Sequence, residues 1–69
     1  MSRKEDWLKR RLSEAEEADE RAAMMEKLVP FLSGYEVEMT HLEAMLLRAK
    51  AASLRELVSS IRESDADLN

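Results

Sequence analysis

Glu38 and His41 are the residues whose types and spacing come nearest to a metal site. On a helix, this E-x-x-H spacing places a carboxylate and an imidazole on the same side, as in the carboxylate-bridged di-metal bundles. Such a site needs several further inward-facing carboxylates, and His41 is the only histidine in the chain of 69 residues. We therefore interpret the pair as part of an exposed polar face and predict no metal site.

Nucleophilic catalysis has no better basis in the sequence. The chain has no cysteine, which excludes disulfides and thiolate zinc sites, and it has no Gly-rich phosphate loop or nucleophile elbow. The serines of the C-terminal half have no base placed to activate them, and two thin helices offer no cleft for a substrate. The sequence predicts a non-catalytic protein without a cofactor.

A basic segment with one aromatic residue lies near the N-terminus, in the sequence KEDWLKRR. Its candidate nucleic-acid-binding residues are Lys4, Trp7, Lys9, Arg10 and Arg11. Cations contact phosphates, and an aromatic side chain offers a stacking platform for a base. The segment also contains Glu5 and Asp6, and the whole chain has a net charge of −4. We favour a solvated helix end and keep nucleic-acid binding as an alternative.

Two helices are predicted to position these side chains, because strong helix formers dominate and the only proline and glycine are Pro30 and Gly34. Helix 1 is predicted over about residues 3–29, and Ser2 and Glu5 form a capping box at its start. Ser13 and Glu16 repeat that pattern. A helix beginning there would leave residues 1–12 as a separate arm.

The stretch PFLSGYEVE predicts a tight turn over residues 30–35. Proline disfavours a helical conformation at the residue before it, so helix 1 should end near residue 28. Ser33 and Glu36 form another capping box, flanked by the hydrophobic staple positions Leu32 and Val37. Alternatively, Gly34 ends helix 1 in a left-handed conformation.

Helix 2 is predicted over about residues 35–64, followed by a polar acidic tail at 65–69. Its wide apolar arc contains two seams. One seam consists of Met39, Leu42, Leu46 and Ala49, and the other of Leu47, Ala51, Leu54, Val58 and Ile61. Glu43 and Lys50 fall inside the arc, where charged residues can set partner choice or register. The methionines near the turn, at positions 24, 25, 39 and 45, are interpreted as core.

The predicted fold is all-α, an antiparallel helical hairpin that forms a single domain over residues 1–69. Each helix of a hairpin buries one face, and the apolar face that remains favours a symmetric dimer with four helices. This plan resembles that of the Rop-type copy-control proteins, dimeric four-helix bundles that bind paired RNA loops. The resemblance is one of architecture and carries over no functional residue.

The predicted function is protein–protein interaction by helix-on-helix docking, as an adaptor, a regulator or inhibitor, or a helical co-chaperone. The expected partner is a second copy of the chain or another helical protein. The residues assigned to the docking face are Leu47, Leu54, Val58 and Ile61, with Glu43 and Lys50 giving selectivity. Alternatives are a Rop-like nucleic-acid-binding bundle and a structural subunit of a phage or secretion assembly. No membrane span or secretory signal is predicted, and we expect a cytoplasmic location.

Overall fold

The computed structural model describes residues 2–68, with side chains described up to residue 64, and it consists of two helices packed side by side. Helix α1 spans Arg3–Leu28, a short 3-10 turn spans Val29–Phe31, and helix α2 spans Tyr35–Leu68. The α-carbon atoms extend over 54 × 20 × 11 Å. The molecule is a flat hairpin, two helices wide and one helix thick, which confirms the predicted all-α hairpin.

Helix α1 begins as the capping pattern predicts. The hydroxyl oxygen of Ser2 accepts hydrogen bonds from the backbone N–H groups of Lys4, at 3.1 Å, and Glu5, at 3.3 Å. These are donors that the first helical turn would otherwise leave without a partner. The helix then continues unbroken past Ser13, so residues 3–12 belong to α1 and do not form a separate arm.

The chain leaves α1 through the 3-10 turn that contains Pro30. The N–H of Val29 donates to the carbonyl of Glu26, and the N–H of Leu32 donates to the carbonyl of Val29 at 3.0 Å. Proline fits the first positions of such a turn, because its missing N–H has no partner to lose there. The predicted end of helix 1 near residue 28 therefore agrees with the observed end at Leu28.

Gly34 is the residue that redirects the chain into α2. Its φ angle is 57°, in the left-handed region that favours glycine. It follows the 3-10 turn, two residues past Leu32, so it does not directly cap α1. The first backbone hydrogen bonds of α2 run from the N–H of Glu36 to Ser33 and from the N–H of Val37 to Gly34.

The two helices meet along one stripe on each, and we call these residues the inner stripe. On α1 it comprises Leu8, Arg11, Ala15, Ala18, Ala22 and Met25, and Val29 of the 3-10 turn continues it; all are buried or half-buried. On α2 it comprises Val37, Thr40, Ala44, Leu47, Ala51, Leu54, Val58 and Ile61, also buried or half-buried. The spacing alternates between three and four residues, which is the pattern of an antiparallel coiled coil.

Alanine dominates the inner stripe where it is most tightly packed. Ala15, Ala18 and Ala51 form one buried cluster, against which Leu47 and Leu54 pack. The fully buried side chains larger than alanine are Leu8 and Val58 among the residues described. Small side chains let two helices approach closely, but each buried methyl group contributes only about 0.8 kcal/mol. The contact between α1 and α2 is therefore close but thin.

This packing changes the assignment of the two seams of α2. The seam that contains Val58 was expected to form an outer docking face, yet Val58 is only 2% exposed and Leu54 packs on the alanine cluster. Ile61 is half-buried in the same stripe. These side chains are already in contact with α1 of the same hairpin, because they pack against its alanines. The other seam, which begins at Met39, is the one that the hairpin leaves outside.

Helix α2 also extends to Leu68, beyond the predicted end near residue 64. The acidic side chains of the predicted tail at 65–69 lie outside the described residues.

We expect the alanine cluster to resist enlargement. Ala51→Leu should lower the free energy of unfolding by about 1–3 kcal/mol, because additional methyl groups in a packed contact force side chains and backbone to shift. Ala52→Leu is the matched control, since Ala52 is the next residue and is exposed. Urea denaturation followed by circular dichroism gives both values. Equal stability of the two variants would contradict the close helix contact.

We expect Gly34 to be required for its backbone conformation and not for its size. A Cβ atom added there would meet no atom within 4 Å, so space is available. Gly34→Ala should nevertheless lower the free energy of unfolding by about 1 kcal/mol, because of the left-handed φ angle. Gly34→Asn should cost less, since asparagine adopts this conformation more readily. If the alanine and asparagine variants melt at the same temperature, this explanation fails.

Candidate functional site

The inner stripe divides the flat hairpin into two broad faces. At 100° per residue, Arg48 and Arg55 of α2 lie on one side of the stripe, each directly following an inner residue. Glu43 and Lys50 lie on the other side, each directly preceding an inner residue. We call the first side the charged face and the second side the open face. The two faces have different chemistry.

Three ion pairs between the helices cross the charged face. Arg48 pairs with Glu26, Arg55 with Asp19 at 2.6 Å, and Arg62 with Glu5 at 3.6 Å. The arginines are seven residues apart, so they recur at the same position of successive repeats along α2. Opposite charges that flank an antiparallel contact favour one alignment of the helices. The charged face is thus closed by pairs that connect α1 and α2.

These pairs are modest in energy but specific in position. Their side chains are between about a third and a half exposed. Water and salt screen such contacts, which contribute at most about 1 kcal/mol each. Their main effect is on register, because a shift of α2 by one helical turn would separate every pair.

The open face contains a groove in place of ion pairs. A cleft of about 480 Å³ is lined by Arg21, Met25, Glu43, Leu46, Leu47 and Lys50. A second cleft of about 240 Å³ is lined by Glu14, Glu17, Ala18, Arg21, Leu47 and Lys50. The two clefts share Arg21, Leu47 and Lys50 and therefore form one continuous groove between the helices.

Each wall of this groove carries charges of both signs: Glu14, Glu17 and Arg21 on α1, and Glu43 and Lys50 on α2. Arg21 of α1 and Glu43 of α2 line the larger cleft together, and Glu14 and Lys50 line the smaller one together. Among the described residues, no ion pair within 4.0 Å joins α1 to α2 across the groove. Glu14 instead contacts Arg11 of its own helix, at 2.8 Å. The groove therefore has charged walls that no ion pair between the two helices joins.

Exposed large apolar side chains lie on the same side of the inner stripe as the groove, chiefly toward the turn. At 100° per residue they include Met24 and Leu28 on α1 and Met39 and Leu46 on α2, and Phe31 lies in the turn itself. Phe31 is 84% exposed and Leu46 is 60% exposed. At the opposite end of the same face lie Trp7 and Leu57, which are also exposed. Exposed apolar side chains grouped on one face are a feature of protein–protein contacts.

Most of this surface was not predicted from the sequence. The methionines near the turn were predicted in the core; Met25 is half-buried, but Met24 is 65% exposed and Met45 is 61% exposed. Leu47, Glu43 and Lys50 were predicted as partner-binding residues, and all three line the larger cleft. The sequence feature that could have revealed the open face is the alanine stripe of α1. The stripe of α2 that packs against it contains Ala44 and Ala51, and the other apolar side chains of α2 are then left outside.

The five residues of the basic segment do not form one patch. At 100° per residue, Lys9 and Arg11 point about 160° apart around α1. Arg11 belongs to the inner stripe, where its guanidinium lies 5.3 Å from the centre of the Trp7 ring and its Nε is buried without a hydrogen-bond partner among the described residues. Lys9 and Arg10 are exposed. Arg11 and Trp7 are thus engaged with each other, which leaves a weaker basis for phosphate binding.

Other chemistry has little geometric support in the described part of the chain. Glu38 and His41 are exposed, and no group of three His, Cys, Asp or Glu side chains there is placed to hold a metal ion. Neither helix, over the same residues, contains a stretch long and apolar enough to cross a membrane.

Comparison of the chain with protein-family models, with curated proteins and with solved structures finds no match.

We expect the charged face to fix the alignment of the helices. Asp19→Arg should lower the free energy of unfolding by about 0.5–1 kcal/mol in low salt, because it places two cations opposite each other. Adding Arg55→Asp should restore much of that loss. Glu20→Arg is the control for net charge, since Glu20 is exposed and adjacent. Urea titrations with and without salt measure the effect, and no recovery in the double variant would contradict the pairing.

Proposed function

We propose that this protein is a small non-catalytic interaction module that binds a helical segment on its open face. The observation that carries the proposal is the difference between the two broad faces. On one face, ion pairs join the two helices, and on the other, exposed apolar side chains lie beside a groove whose charges form no ion pair between the helices. A face of this kind lowers its free energy when another helix removes the apolar side chains from water.

The shape of the groove supports a helix as the bound element. The groove runs between two helices, so a third helix can lie along it with its side chains between theirs. The apolar residues on both walls supply the attraction, which is not directional. Arg21, Glu43 and Lys50 line the same cleft and supply the specificity, since a partner with the wrong charge pattern would leave them desolvated and unpaired.

We include in this proposal that the protein dimerises, that its role is regulatory and that it is cytoplasmic. The nucleic-acid-binding alternative has less support, because the basic segment is spread around α1 and Arg11 is turned into the inner stripe. The alternative of a structural subunit uses the same open face, so it differs from the proposal in biological setting and not in mechanism.

A pair of neighbouring positions on opposite faces tests the proposal. Leu46 and Met45 are about equally exposed, at 60% and 61%, but only Leu46 lines the groove. A benzophenone amino acid at position 46 of the full chain should form a crosslinked polypeptide adduct when cells that produce it are irradiated. The same group at position 45 should give little adduct. Absence of an adduct at position 46, or equal yields at both positions, would overturn the proposal.

A further inference from the structure

We infer that the helical segment bound on the open face comes from a second copy of this chain, placed face to face about a two-fold axis parallel to the helices, with both turns at the same end. This inference rests on the proposed function, because it names the partner of that same face. Three observations carry it: the charges along the groove, the distribution of the apolar side chains and the size of the face.

The first observation is that the charges of the open face complement themselves. Rotation by 180° about an axis parallel to the helices places α1 of one copy over α2 of the other at the same level. The α1 wall with Glu14, Glu17 and Arg21 then faces the α2 wall with Glu43 and Lys50 of the other copy, and we pair Glu14 with Lys50 and Arg21 with Glu43. Each contact occurs twice, as a two-fold interface requires. A face with charges of a single sign would repel its own copy.

The second observation is that the apolar side chains sit at matching levels. With the turns at the same end, the residues Leu28 and Phe31 of one copy meet the region of Met39 and Leu46 in the other. At the far end, Trp7 of one copy meets Leu57 of the other. With the turns at opposite ends, α2 would lie over α2, and Lys50, near the middle of that helix, would lie close to the Lys50 of the other copy. Both orientations bury apolar side chains, and the orientation with both turns at one end also sets charges of opposite sign against each other.

The third observation is that the open face is large enough for a stable interface. The hairpin measures 54 by 20 Å, which outlines roughly 1,000 Å², and a specific complex buries about 800 Å² per partner. The hairpin also gains from that burial, because its own core consists mainly of alanine. A second copy would turn a flat layer of two helices into a bundle of four with a shared apolar centre.

Native mass spectrometry and sedimentation equilibrium of the purified full chain test the second copy directly. We expect a particle of twice the 8.0 kDa mass of the chain. Leu46→Glu should raise the dissociation constant of that particle at least about tenfold, since it places a charge in the apolar contact. Met45→Glu, on the other face, should leave the dissociation constant unchanged. Circular dichroism verifies that both variants keep their helices.

A charge exchange tests the pairing without removing any apolar side chain. Lys50→Glu should weaken the dimer several-fold, because it sets like charges opposite each other, and adding Glu14→Lys should restore the original dissociation constant. If the double variant is no tighter than Lys50→Glu alone, the proposed pairing of Glu14 with Lys50 is wrong.

Spin labels determine the orientation of the two copies. The chain has no cysteine, so Ser33→Cys in the exposed turn provides a single labelling site. With both turns at one end, the two labels should lie roughly 20–30 Å apart, which is the spacing of packed helices plus the label arms. With the turns at opposite ends, the distance would approach the 54 Å length of the hairpin. The longer distance would overturn the orientation that we infer.

The outcomes also separate this inference from the proposed function. If the purified chain is a monomer at all concentrations, while the benzophenone at position 46 still captures a different polypeptide, the interaction module stands and the second copy does not. If position 46 captures nothing and the chain is a monomer, both proposals fail.

Discussion

The close contact between α1 and α2 through alanine side chains is the constraint on which the rest of the structure depends. Because Ala15, Ala18 and Ala51 are small, the helices can approach closely where these residues meet. The charged side chains that flank the contact can then reach across it, which allows Arg55 to meet Asp19. The same close contact buries little surface, so the hairpin gains only a thin core.

That constraint explains why the two faces of the hairpin differ. On the charged face, arginines recur every seven residues and pair with acids of α1, so this surface is suited to water. On the open face, Arg21 and Glu43 line a groove without pairing across it, and apolar side chains such as Leu28 and Leu46 remain exposed. The close alanine contact leaves larger side chains outside it. For this reason the core of the hairpin is thin and one of its faces is apolar.

Much of the fold could be predicted from local sequence signals. The cap at Ser2, the helix end before Pro30 and the turn near Gly34 each depend on a few adjacent residues, and all three occur where those residues indicate. The sequence is compatible both with a capping box at Ser33 and with a left-handed Gly34 that ends helix 1. Gly34 does adopt the left-handed conformation, but a 3-10 turn that local signals did not predict stands between it and the end of α1.

The face of α2 that contacts α1 could not be read from α2 alone. The apolar residues of both seams are spaced as on one helix face. Of the two, the seam with Leu54, Val58 and Ile61 looks the more hydrophobic in the sequence. The choice between them depends on which seam complements the alanines of α1, and that is a property of two helices together. The ion pairs of Arg48, Arg55 and Arg62 depend on the same antiparallel alignment, so no single helix reveals them.

The ion pairs of the charged face also bear on how copies of the hairpin could assemble. A particle that could associate through both broad faces would stack without limit and form a filament, because each added layer would offer a fresh surface. Arg48, Arg55 and Arg62 already hold acids of their own hairpin, and covering them would remove charged groups from water without supplying new partners. The charged face therefore disfavours a second contact of this kind, so that association through the open face would not propagate into a filament.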